Sequence, residues 1–143
     1  MLSILLPAVL YCVDHGIKEH RESNDTVYDC LNGGLKVVTY HNRGAFLNKG
    51  EDHPFVISCI SVFFTIITTI LFLLTFTKKG CGMLKFGLGL LLGGAFSNTY
   101  DRLKKGYVVD YLIFAKAPAF VRNIVFNIAD FAIMIGAMIS TLQ

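Results

Sequence analysis

The run Phe55–Phe76, FVISCISVFFTIITTILFLLTF, decides the class of this fold. It carries no charged residue over about 20 positions, which is the length that a helix needs to cross a bilayer. The whole chain of 143 residues is 54% hydrophobic, and its mean hydropathy of +0.58 is high for an ordinary soluble domain. The sequence therefore predicts an integral membrane protein, and the length allows one compact unit.

Three further apolar segments predict membrane-spanning helices on either side of this run, at about 2–18, 83–98 and 123–142. The first is long enough only if it continues through Asp14 to Lys18. It lacks the basic start and the small-residue cleavage site of a signal peptide, so we interpret it as a retained helix. The predicted fold is a membrane all-α protein, a four-helix transmembrane bundle in a single domain, 1–143. The two long connections are then about 19–54 and 99–122.

The first long connection contains a strand signal. Leu35–Tyr40 is rich in β-branched and aromatic residues, and turn-forming residues flank it at 32–34 and 41–44. The next residues, Ala45–Leu47, are either a second short strand or the start of an interfacial segment. We therefore expect a small β element on the membrane face between helices 1 and 2.

Two aspartates lie where a small membrane protein should not carry charge without a reason. Asp110 falls in the loop run Gly106–Leu112, and Asp130 falls inside the last apolar segment. A carboxylate at the centre of a bilayer costs at least about 2–3 kcal/mol, so such an acid is a functional-site hypothesis by default. Two acids that meet at one membrane depth predict a pair that shares a proton.

Polar residues near the end of the third span share one helical face if the helix continues. Asn98, Asp101 and Arg102 are spaced i, i+3 and i+4. They indicate either a buried polar site or the end of a helix, where Asp101 would pair with a neighbour and both charges would face water.

The last span supplies a second polar set, since Asn123, Asn127 and Asp130 are spaced i, i+4 and i+7 on one predicted helical face. In lipid each of these side chains needs a partner. The set indicates either a functional site or polar contacts that hold neighbouring helices together.

Two shorter patterns predict helix packing. Gly89 and Gly93 form a GxxxG pair, which lets helix backbones approach closely. Asp14 and Lys18 are spaced i, i+4, with the acid before the base, which is a favourable helix pair.

The cysteines and the charges predict neither a metal site nor a nucleic-acid partner. The four cysteines show no CxxC or Cys/His spacing, and Cys30 has no evident disulfide partner. The formal net charge is +3, without a basic stripe interleaved with aromatic residues.

Taken together, five motifs in order resemble the lipoprotein signal peptidases (signal peptidase II), which are bacterial intramembrane aspartyl peptidases. The resemblance covers nearly the whole chain. The motifs are Asp14 with Lys18, Asn42-Arg-Gly-Ala-Phe46, Gly93–Arg102, Gly106–Tyr111 and Phe126–Asp130.

The resemblance implies that Asp110 and Asp130 are the catalytic pair, without a metal or cofactor. The resemblance also implies the substrate class, which is prolipoproteins whose cysteine already carries diacylglycerol. Cleavage is expected just before that cysteine. The expected partners are these substrates and membrane lipid, and the expected state is a monomer. The residues implied to orient the acids or bind substrate are Asp14, Lys18, Asn42, Gly44, Asn98, Asp101, Arg102 and Asn127. The element at 32–48 is expected to cover the site as a lid or platform.

The chain departs from the family pattern at three places. Phe131 stands where the family usually has Ser, His15 stands where it often has Gln, and Leu47-Asn48 replaces the usual Phe-Ser. These departures leave open a relative that binds lipidated substrates but cleaves them weakly or not at all. Two further alternatives are a proton-coupled transporter, which the lack of an inverted repeat disfavours, and a purely structural membrane protein.

Charge alone and the resemblance predict opposite orientations. The long connections hold most basic residues, so a bare count places them in the cytoplasm. The resemblance instead implies cytoplasmic termini, with Lys78 and Lys79 inside. On that basis we expect a multi-pass protein of the bacterial cytoplasmic membrane with its active site near the extracytoplasmic face.

Overall fold

The structure is a computed structural model that describes residues 2–44 and 50–142. In this part of the chain five helices accompany one three-stranded antiparallel sheet of order β1-β2-β3. The helices are α1 Leu2–Ser23, α2 Pro54–Leu74, α3 Gly82–Lys105, α4 Ala119–Arg122 and α5 Ile128–Thr141. The strands are β1 Tyr28–Cys30, β2 Leu35–Asn42 and β3 Val108–Phe114. The possible strand at Ala45–Leu47 lies outside the described residues.

Helix α2 has the most apolar surface. With the short 3-10 turn that follows it, Pro54–Thr77 contains an 18-residue window with a mean hydropathy of 2.5. It is, among the described residues, the one helix long and apolar enough to cross a membrane. Most of its large side chains face outward, because Phe55, Phe63 and Phe64 are all at least 60% exposed. Helix α5 is apolar but shorter.

Helix α3 is the centre of the fold and packs against α1, α2 and α5. It continues beyond Asn98 to Lys105, so the interpretation of Asn98 as a helix end is wrong. It ends where Gly106 adopts a left-handed conformation, with φ of 80°, and donates its N–H to the Arg102 carbonyl.

The close helix packing predicted from the glycines of α3 is confirmed, and it involves more glycines than the predicted GxxxG pair. A Cβ on Gly93 would meet Leu10 of α1 at 2.9 Å, and one on Gly136 of α5 would meet the Gly87 carbonyl oxygen at 2.5 Å. A Cβ on Gly94 would overlap the carbonyl oxygen of Ala129. The absence of side chains at these positions sets the distance between α3 and α5.

The sheet unites the two long connections. The strand predicted at 35–40 is confirmed as β2, but β2 is the central strand, and its second neighbour β3 comes from the connection after α3. Tyr40 lies opposite Asp110 in this pairing. Asp110 is therefore in a strand, and the prediction that it lies in a loop is wrong.

The last helix begins at Ile128, so the prediction of a span from about 123 is wrong. Phe126 is extended and exchanges two backbone hydrogen bonds of 2.8 Å with Leu112. Asn127 then caps α5: its side-chain oxygen accepts from the Asp130 N–H at 2.9 Å, while its own N–H donates to Asp130 Oδ2 at 3.0 Å. Asp130 therefore lies in the first turn of α5 and not two turns into it.

We expect Gly94→Ala to lower the free energy of unfolding by about 1–3 kcal/mol, because the added methyl group must push α5 away from α3. Gly82→Ala is the matched control in the same helix, since a Cβ there meets nothing within 4 Å. Denaturant unfolding in detergent measures both. Equal stability of the two variants would show that α3 and α5 are not held at this distance.

Candidate active site

A buried lysine forms the centre of the polar interior. The Lys18 side chain is 0% exposed, and its Nζ lies 2.8 Å from Asp14 Oδ2 and 3.0 Å from Asp101 Oδ2. It also donates to Ser97 Oγ at 3.2 Å and to Asn98 Oδ1 at 2.9 Å. A buried charge is tolerated only when it is paired and hydrogen-bonded. The predicted Asp14–Lys18 pair is confirmed within α1, and the contacts of Lys18 with Asp101, Ser97 and Asn98 fix α1 against α3.

Two side-chain amides connect this lysine to both candidate catalytic acids. Asn98 accepts from Lys18 through Oδ1 and donates from Nδ2 to Asp130 Oδ1 at 2.8 Å. Asn127 donates from Nδ2 to Asp110 Oδ1 at 2.6 Å and to Asn98 Oδ1 at 3.0 Å. Because Asn127 also contacts Asp130 through the helix cap, one residue contacts both carboxyl groups.

Asp110 is held from both sides and is only 2% exposed. Its Oδ2 accepts from Asn42 Nδ2 at 2.9 Å, across the β2–β3 pairing. Burial, and after it the negative charge of Asp130, raise the pKa of Asp110 to about 7, although the hydrogen bonds from Asn42 and Asn127 act in the opposite direction. Asp110 is therefore poised to hold or release a proton near neutral pH.

The predicted residues Arg102 and Gly44 complete one edge of the site. Arg102 donates from Nη2 to the Gly44 carbonyl oxygen at 3.1 Å and from Nη1 to the Asn98 carbonyl oxygen at 3.4 Å. The Gly44 N–H donates to Asn42 Oδ1 at 3.0 Å. These bonds orient the Asn42 amide so that its N–H groups face Asp110.

Both acids open onto one cavity of about 510 Å³ between α2, α3 and α5. Its charged and amide lining residues are the two acids with Asn42, Asn98 and Arg102, and four hydroxyl side chains also line it, those of Ser61, Thr65, Thr68 and Thr99. The rest of the wall is largely apolar and includes Ile57, Ile60, Phe64, Leu91, Ala95, Ile133 and Met134. The cavity thus places two carboxyl groups at the polar end of a space suited to hydrocarbon.

One predicted site residue lies apart from the others. Asn123 is exposed and precedes α5, so it does not share a helical face with Asn127 and Asp130. The predicted spacing assumed a helix through this segment, which the extended pairing of Phe126 prevents.

Ser97 and Tyr111 belong to the network and were missed in the sequence. Ser97 Oγ donates to Asp14 Oδ2 at 2.6 Å, and the Tyr111 hydroxyl donates to Asp14 Oδ1 at 2.9 Å while accepting from the Ile128 N–H at 3.1 Å. The spacing of Ser97 and Asp101, i and i+4, could have revealed the first. The second depends on β3, where Tyr111 points to the face opposite Asp110.

Comparisons with known proteins assign the chain to a family. A family profile described as signal peptidase (SPase) II matches residues 6–143. This chain belongs to the signal peptidase II family. The lipoprotein signal peptidase of Moorella thermoacetica is 32% identical over 140 residues, which cover 97% of this chain and 87% of that protein. That of Halothermothrix orenii is 37% identical over 101 residues, which cover 70% of this chain and 63% of that protein's length.

Two solved structures of bacterial membrane enzymes share the fold. The TM-scores are 0.75 and 0.77, the sequence identities are 24% and 23%, and each match covers 99% of this chain. The matches cover 85% and 90% of those chains. This signal peptidase II therefore shares its fold, a set of helices with a small three-stranded sheet, with two bacterial membrane enzymes.

We expect Lys18→Met to destabilise this signal peptidase by about 3–5 kcal/mol, because Asp14 and Asp101 would remain buried without a cation. Lys36→Met is the control: its partner Asp29 is 61% exposed at 3.8 Å, so the loss should stay within about 1 kcal/mol. Denaturant unfolding in detergent measures both. Comparable losses in the two variants would contradict the central role of Lys18.

Proposed function

We propose that this signal peptidase II removes the signal peptide from diacylglyceryl-modified prolipoproteins, with Asp110 and Asp130 as the catalytic pair. The family makes the chain an aspartic-type peptidase of lipoprotein processing. The observation that supports the named pair is that both carboxyl groups line one cavity and are contacted by one residue, Asn127.

The pair acts on a single water molecule. One ionised carboxyl group accepts a proton from the water, whose oxygen attacks the scissile carbonyl carbon, while the protonated partner donates to the carbonyl oxygen. When the tetrahedral intermediate collapses, the C–N bond breaks and a proton passes to the leaving nitrogen. The products are a signal peptide with a new carboxyl group and a lipidated cysteine with a free amine.

Burial explains why the pair can hold a proton for this chemistry. Two close carboxyl groups in a poorly hydrated site cannot both ionise cheaply. Asn98 and Asn127 orient their oxygens, and Asn98 links the acids to the buried positive charge of Lys18. Arg102 fixes Asn42 through Gly44.

The cavity fits a lipidated substrate. Its apolar walls, formed by α2, α3 and α5, accommodate hydrocarbon, and its polar end holds the acids. The helices α1, α2, α3 and α5 are the four membrane spans of this proposal. The sheet and α4 then lie at the extracytoplasmic face, which places the acids near the bilayer surface, and the working state is a monomer in contact with lipid.

Two of the departures from the family pattern lie away from the reacting groups. Phe131 packs its ring against Phe114 and Phe126, and His15 stacks on Tyr11. Neither residue lines the cavity. Leu47-Asn48 lies outside the described residues. No contact of Phe131 or His15 favours a protein that binds lipidated substrates without cleaving them.

We expect Asp110→Asn and Asp130→Asn each to lower the cleavage rate at least about 1,000-fold, because either change removes one half of the acid–base pair. A gel-shift assay with a diacylglyceryl-modified prolipoprotein in detergent measures the rate. Asp29→Asn, an exposed acid on β1, is the control and should cleave normally. Cleavage that survives either substitution in a folded variant would refute the assignment of the pair.

We expect cleavage to decline as pH rises through about 7, because Asp110 then ionises and the pair no longer holds a proton to donate. Asn42→Ala removes a hydrogen bond that favours the ionised form of Asp110. The pKa of Asp110 should therefore rise, and the alkaline decline should move to higher pH.

The dependence of kcat/KM on pH, measured from about pH 5 to pH 9, tests this shift. Asn24→Ala is the control, since Asn24 is only partly buried and its side chain bonds locally to Thr26 and Tyr28. A decline that stays in place or moves to lower pH in Asn42→Ala would contradict the account.

A further inference from the structure

A second cavity of about 520 Å³ lies beside the active site. It runs between Tyr40 and Asn42 of β2 and the segment 119–125, and Ala119, Phe120 and Asn123 form its outer wall. We call it the outer groove. Its inner end is Asn42, which also lines the apolar cavity and donates to Asp110 at 2.9 Å.

The two cavities adjoin at shared wall residues but differ in the elements that form them. They share Asn42, Ile124 and Val125. The apolar cavity is walled by the long helices α2, α3 and α5, whereas the described lining of the outer groove comes from β2, α4 and residues 123–125. A chain that passes the acids from the apolar cavity therefore continues into the outer groove.

The geometry points to an occupant: we propose that the outer groove binds the first residues of the mature polypeptide, those that follow the lipidated cysteine. This inference rests on the proposed function, because it assigns the product side of the same scissile bond. The signal peptide and the acyl chains remain on the apolar side of the acids.

The chemistry of the groove suits polypeptide better than hydrocarbon. Polar residues, Tyr40, Asn42 and Asn123, are part of its lining, and each extended residue brings a backbone N–H and C=O that need partners. Phe120 is 75% exposed at the rim, where its ring can cover an apolar part of the bound chain. The volume fits a few small residues.

Two synthetic peptides test the assignment. Both carry the same apolar segment before an S-diacylglyceryl cysteine; one ends there as the carboxamide, and the other continues for three small polar residues. Cleavage before the cysteine releases the same N-terminal fragment from both, so one assay gives kcat/KM for each. We expect the wild type to favour the extended peptide by about tenfold, which corresponds to about 1.4 kcal/mol of added binding.

Variants that fill the groove should abolish this preference. In Ala119→Trp the ratio of the two kcat/KM values should fall to within about twofold of one, because the indole occupies the space of the downstream residues. Asn123→Trp fills the groove from the neighbouring segment and should give the same result if Ala119→Trp does not fold. Arg122→Trp is the control in the same helix, since Arg122 is exposed and lines neither cavity, and it should keep the wild-type ratio.

The outcomes separate this inference from the function on which it rests. Failure of folded wild-type protein to cleave either peptide would overturn the proposed function and this inference with it. Cleavage of both peptides at equal rates by the wild type would overturn the inference alone. The same conclusion would follow if Ala119→Trp and Asn123→Trp left the ratio of the two kcat/KM values unchanged, or if Arg122→Trp lowered that ratio equally.

Discussion

The buried ammonium group of Lys18 is the interaction on which the rest of the structure depends. It lies on α1, is completely buried, and is bound by Asp14, Asp101, Ser97 and Asn98. Since a cation without water needs every one of its donors satisfied, the position of α1 relative to α3 is set by side-chain chemistry as well as by apolar packing. The glycines of α3 then allow α5 to approach from the other side.

Asn98 contacts both the Lys18 ammonium group and Asp130. Three kinds of local structure meet around this site. Asp101 belongs to a helix interior, Asp110 to a strand and Asp130 to a helix cap. Asn127 connects the last two, because it caps α5 and donates to Asp110 at the same time. Asn127, which starts the last helix, thus also sets the relative positions of the Asp110 and Asp130 carboxyl groups. A substitution of Asn127 would therefore change the fold and the site together.

The sequence was most informative where a pattern is local. An uncharged run predicts α2, and β-branched residues predict β2. The sequence motifs contain the residues that the structure places around Asp110 and Asp130. It was misleading where long-range pairing overrides the local pattern. The apolar segment from 123 begins as extended chain because Phe126 pairs with Leu112, and Asp110 lies in a strand only because β2 is available to pair with β3. Tyr111 was missed for the same reason.

The central claim is that Asp110 and Asp130 behave as one coupled unit held by Lys18, Asn98 and Asn127. Carbon-13 NMR of the Asp110 carboxyl group in detergent, titrated with pH in the wild type and in Asp130→Asn, tests it most directly. We expect a pKa of about 7 for Asp110 in the wild type, and a lower pKa in the variant, since the charge of Asp130 is removed while burial remains. Titration near the ordinary pKa of 3.8, or a pKa that Asp130→Asn leaves unchanged, would contradict it.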